Sequence, residues 1–124
     1  MINNLTKSTI IAEKPYLAKS MLSRMRGMLG RKFRDENDSK NNSDFDALIF
    51  EKNNSIHMFF MSYAIDVLYL DKENKVVGLK HGIRPWRLSA CSKAKTTIEL
   101  PEGYLKKSKT GINDQIEYKP TKTI

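Results

Sequence analysis

The sharpest rhythm of apolar and polar positions runs from Ala64 to Leu70, where Ile65, Val67 and Tyr69 alternate with Ala64, Asp66, Leu68 and Leu70. A two-residue period is that of a strand, and two largely apolar faces predict an internal one. Asp71 to Lys75 then reads as a polar hairpin loop, with Val76 to Leu79 pairing back. Ala47 to Phe50 is a short apolar strand closed by a turn at Glu51 to Asn54. Ala94 to Leu100 alternates cleanly: Ala94, Thr96, Ile98 and Leu100 against Lys95, Thr97 and Glu99. That pattern predicts a half-exposed strand, ended by Pro101. Thr6 to Ala12 predicts a first strand and Gln115 to Tyr118 a last one.

A different period governs Tyr16 to Met28. Leu17, Met21, Met25 and Met28 recur every three or four residues, and Pro15 stands where a helix can open. These signs predict one amphipathic helix ending near Gly27 and Gly30. Arg31 to Asp46 has two aromatics and little else to bury, which predicts an exposed, mobile polar loop. Lys80 to Lys93 looks irregular, Glu102 to Lys109 a short helix or turn, Gly111 to Asp114 a turn, and Thr121 to Ile124 a frayed tail. The fold class that results is mainly β, at the border with α+β. It is a small β-sandwich or distorted barrel with one short N-terminal helix, in a single domain over residues 1–124.

Composition narrows the setting. A chain of 124 residues, 40% hydrophobic, supports one core. No apolar run approaches the roughly 18 residues that span a bilayer, and the N-terminus lacks a signal-peptide pattern. Cys91 is the single cysteine, which excludes an internal disulfide and fits a reducing, cytoplasmic setting. The net charge of +8 attracts nucleic acid, anionic membrane or acidic partners, but reads first as a merely solvated basic surface, since charge bears on association and solubility and not on a particular function.

Candidate chemistry gathers in two places. Ser55 to Asp71 carries His57, Met61 and Asp66 within an apolar run. An unpaired ionisable group is costly to bury, so His57 and Asp66 are candidates for acid–base work, although Asp66 reads first as a structural carboxylate bonded to amides or to an arginine such as Arg26 or Arg87. The second place is Arg84-Pro85-Trp86-Arg87. Two guanidiniums flank an indole beside a proline, a set that can stack on a ring and hold a phosphate or carboxylate. Alternatively Trp86 plugs the core. His57, His81 and Cys91 are spaced too far apart for a finger or ribbon, so no metal is expected. No phosphate-binding glycine loop, dinucleotide fingerprint or serine elbow is present, and no cofactor is expected.

Four blocks, in order, resemble one known family. They are Arg24-Met25-Arg26-Gly27-Met28-Leu29-Gly30-Arg31; Ser55 to Met61 continuing into Ile65 to Asp71; Pro85-Trp86-Arg87; and Glu99-Leu100-Pro101-Glu102-Gly103 followed by Gly111 to Asp114. Together they span roughly Tyr16 to Tyr118 and resemble the bacterial and archaeal domain-of-unknown-function 192 family. The resemblance departs at Ala64, where a proline is usual, at Ser62, where a basic residue is usual, and at Asn113, where glycine precedes the aspartate. It implies a small, mainly β domain and carries no established activity. The reading that results is a non-enzymatic binding module. Its ligand would be a small anionic or ring-containing molecule, or a partner protein, held by Trp86, Arg84, Arg87, His57 and Met61. Its rivals are a hydrolase using His57 and Asp66, and a nucleic-acid binder using Arg24, Arg26, Arg31 and Lys106 on one face.

Overall fold

A computed structural model describes residues 1–19, 44–57 and 63–124. Its strands are β1 (Ile2–Asn4), β2 (Thr9–Ala12), β3 (Pro15–Leu17), β4 (Ala47–Glu51), β5 (Ser55–His57), β6 (Ile65–Leu70), β7 (Val76–Ile83), β8 (Leu88–Ala90), β9 (Thr96–Pro101), β10 (Ile116–Tyr118) and β11 (Lys122–Thr123). A single helical turn, Tyr104–Lys107, is the helix among the described residues. The chain is mainly β, as its alternating patterns predict.

The strands form three sheets, not one closed barrel. The largest has the order β11-β3-β4-β9-β6-β7, and a second has the order β10-β1-β2. β5 and β8 make the third. In the large sheet β11, β3 and β4 run parallel, and the remaining neighbours are antiparallel. The period-two pattern sends alternate residues to two cores. Ala47, Ile49, Leu68, Leu70, Ile98 and Leu100 pack with Ile2, Ile11 and Ile116 of the three-stranded sheet and with Leu105 of the helical turn. Leu48, Phe50, Ile65, Val67 and Tyr69 pack with Tyr16, Phe45 and Ile56. Each such aliphatic side chain contributes about 1.5–3 kcal/mol of transfer free energy on burial, so both faces of β6 anchor the molecule.

The structure corrects several sequence expectations. β9 is not half-exposed: Thr97 and Glu99 have no accessible surface. β9 lies between β4 and β6, so cores cover both its faces. Thr97 Oγ1 donates to the Asn53 carbonyl at 2.8 Å, which allows a polar residue there. The helix expected to open at Pro15 is instead β3, held by parallel pairing to β4 and β11. The extended course continues to Lys19, where the amide of Ala18 donates to the Ile49 carbonyl and that of Lys19 to the Ile124 carbonyl. The rest of the predicted helix, and most of the predicted polar loop, lie outside the described residues. The end of that loop is not exposed. Phe45 is buried with its ring 5.1 Å from that of Tyr16. The Asp46 carboxylate accepts the amides of Glu13 and Lys14 at 2.8 and 2.7 Å. Nor is the C-terminus frayed. β11 pairs with β3, and the Ile124 amide donates to the Leu17 carbonyl at 2.8 Å.

Candidate functional site

Asp66 sits in β6 on the face that carries Leu68 and Leu70, and has no accessible surface. One carboxylate oxygen accepts the Gly82 amide at 2.9 Å, and the other accepts those of Gly103 and Leu105 at 3.0 and 3.1 Å. β7 bulges opposite it: Val67 pairs with Lys80 and Ile65 with Ile83, leaving His81 and Gly82 across from Asp66. Gly82 takes φ +61°, a conformation in which glycine avoids the Cβ penalty, and this turns its amide toward the carboxylate. Gly103 and Leu105 open the helical turn, which has no side-chain cap of its own. Asp66 therefore supplies from a distant strand what an N-cap residue supplies locally. Arg87 is exposed and Asp66 fully buried, so the pairing weighed between them is not made.

His57 ends β5, and its backbone is the ladder partner of Leu88. Met61 lies outside the described residues, as do Arg24, Arg26 and Arg31. Of the remaining metal-ligand candidates, His81 is exposed on β7, and Cys91 lies with Sγ 3.9 Å from the Val77 carbonyl. Among the described residues no three His, Cys, Asp or Glu side chains gather around a common point.

The four residues Arg84 to Arg87 leave the end of β7 and lead into β8. The Arg87 amide donates to the Arg84 carbonyl at 3.3 Å, closing a β-turn. Proline at the second position holds φ near about −65°, and Trp86 at the third has φ +67°. That combination is the type II turn, whose third position normally belongs to glycine or asparagine. A residue with a side chain there costs about 1 kcal/mol. Trp86 occupies it with 62% of its surface exposed, so the core-plug reading is not what the structure shows. Arg84 and Arg87 are exposed on either side. Among the described residues no carboxylate lies within salt-bridge distance of either guanidinium.

β8 places a further apolar residue beside this turn. Ser89 faces inward, where its Oγ accepts the Tyr69 hydroxyl at 2.6 Å, and its ladder partner Ile56 is buried. Alternation then turns Leu88 outward, with 70% of its surface exposed. Sequence reading missed Leu88 because Lys80 to Lys93 looked irregular; the signal available was an aliphatic residue directly after a turn. The structure thus places Leu88, the ladder partner of His57, directly after the Arg84–Arg87 turn in the chain, and takes Asp66 into a structural role elsewhere.

Comparison with known proteins agrees with this architecture. The chain is 34% identical over 125 residues to a UPF0127 protein of Thermococcus sibiricus, covering 95% of this chain and 74% of that protein. It is 36% identical over 128 residues to a UPF0127 protein of Thermococcus kodakarensis, covering 98% and 74%. A crystal structure of a protein of unknown function from Novosphingobium aromaticivorans superposes with a TM-score of 0.63 at 15% identity. It covers 84% of this chain and 74% of that one, and supports the fold alone. The DUF192 family model, described as Uncharacterized ACR, matches residues 4–118, a span that contains the Asp66 clamp and the Arg84–Arg87 turn, and the chain belongs to that family.

Proposed function

We propose that the chain is a non-enzymatic binding module whose recognition element is the turn Arg84-Pro85-Trp86-Arg87, and that its ligand is anionic, ring-containing or both. The observation that carries this reading is Trp86, held in a left-handed conformation with 62% of its surface exposed, between two exposed arginines. An indole face flanked by guanidiniums offers stacking and charge-assisted hydrogen bonds at once. The hydrolase reading draws no support from Asp66, whose carboxylate is engaged by three backbone amides away from solvent. The nucleic-acid reading calls for several exposed aromatics along one basic face. Among the described residues Trp86 is the one aromatic in the set of exposed large hydrophobics.

Trp86 is the single tryptophan, so its emission reports the turn directly. Titration with adenosine monophosphate, which combines a ring with a phosphate, is expected to change that emission saturably. The Arg84→Gln and Arg87→Gln variants should weaken the response while leaving the fold intact. Emission that neither the nucleotide nor iodide alters would show that the indole is not available to ligands and would end this reading.

A further inference from the structure

We infer that the turn docks on the surface of an anionic bilayer, with Trp86 and Leu88 entering the headgroup boundary and Arg84 and Arg87 holding lipid phosphates; this rests on the binding role proposed for the same turn. Trp86 and Leu88 stand two positions apart in the chain, at 62% and 70% exposure. Side chains that exposed do not line a deep cleft, so they meet whatever they bind at an open surface. They are suited to entering something softer than the protein itself. Indole rings settle at the membrane–water interface, apolar body inward and polar N–H toward the headgroups. An aliphatic neighbour adds apolar area without adding stacking, which fits lipid better than bases. Arginine can lay its stem along the apolar boundary while its head reaches phosphate.

Charge complementarity points the same way. Arg84 and Arg87 have no carboxylate at salt-bridge distance among the described residues, and Lys80 is exposed on the strand that leads into the turn, where an acidic group, Glu102, lies beside Gly82. The whole chain carries +8, so its field favours approach to a negative surface. No described helix is long and apolar enough to cross a membrane.

The test uses the full chain with two sets of vesicles, one of phosphatidylcholine alone and one of phosphatidylcholine and phosphatidylserine in equal parts. Co-sedimentation with the anionic vesicles, together with a blue shift of Trp86 emission, is the expected result. Binding to neutral vesicles should be at least tenfold weaker, and added salt should weaken the anionic case. Each of Arg84→Gln and Arg87→Gln should cost about fivefold in vesicle affinity. The double variant Trp86→Ala with Leu88→Ser, checked for an unchanged circular dichroism spectrum, should abolish sedimentation. Vesicle binding that survives this double variant would overturn the inference, since general basic charge would then explain it. No vesicle binding alongside a saturable response to adenosine monophosphate would overturn the membrane inference while leaving the turn as a ligand site. Preferential binding of a single-stranded oligonucleotide that displaces vesicles would overturn it in favour of nucleic acid. Failure in every assay, with Trp86 also unquenched by iodide, would remove both the inference and the reading beneath it.

Discussion

Trp86 at φ +67° occupies a backbone state that disfavours any side chain, and its exposure means burial offsets little of that cost. The two small substitutions there should therefore differ. Trp86→Gly is expected to be more stable than Trp86→Ala by about 1 kcal/mol, read from urea midpoints at equal slope. Both variants should lose binding alike. Equal stability would mean that the turn relaxes out of the left-handed state once the indole is gone. The proline at its second position was a visible cue to a turn, and the arginine pair a visible cue to anions. Exposure of the indole was not legible, because whether a tryptophan plugs or projects depends on what packs beneath it.

At the scale of elements, Asp66 joins β6, the bulge of β7 and the helical turn through three amides. Asp66→Asn keeps an acceptor but turns an amide donor toward at least one of those N–H groups. It should cost roughly 2–3 kcal/mol, and Asp66→Leu more, since all three donors are then orphaned. Thermal melts of both variants check this order; a leucine variant as stable as the parent would refute the clamp. Alternation around Asp66 was readable in advance, down to which residues share its face. The misread elements failed for a common reason. Leu17 has helical spacing with the methionines that follow, yet parallel pairing on two sides made its segment a strand. Tertiary hydrogen bonds outweigh a weak local propensity. Lys122 and Thr123 carry no strand signal of their own and pair because β3 offers them an edge.

Across the whole molecule, long-range polar ties bring the two ends of the chain onto the same body. Asn4 Nδ2 and Lys7 Nζ donate to Asp114 at 2.9 and 2.8 Å, as does the Gly111 amide at 2.9 Å. Burial alone would raise the Asp114 carboxyl, but these bonds and the Lys7 charge outweigh it and hold the group below its usual value. A depressed carboxyl stabilises the fold at neutral pH, and that contribution is lost as pH falls below about 4. Asp114→Asn should therefore lower stability at pH 7 and narrow the gap to the parent under acid. A gap that stays constant with pH, measured by urea unfolding, would contradict the assignment. At the other end, deleting Thr121 to Ile124 removes the bonds to Pro15 and Leu17. The expected result is a fall in Tm of roughly 5 °C or more, where a frayed tail would cause none.

What the chain alone determined is whatever local period and composition can carry. That covers the mainly β class, the internal strand at β6 with its two faces, the hairpin into β7 and the turn at Gly111. Those signals are local because side chains alternate along one strand regardless of its neighbours. Tertiary structure decided the rest. It chose a strand at Pro15, buried Thr97 and Glu99 by placing β9 between two partners, gave Asp66 its three distant amides, and left Trp86 and Leu88 exposed. Each of these depends on residues far apart in sequence, and burial, pairing and shared surfaces exist only once the sheets have packed.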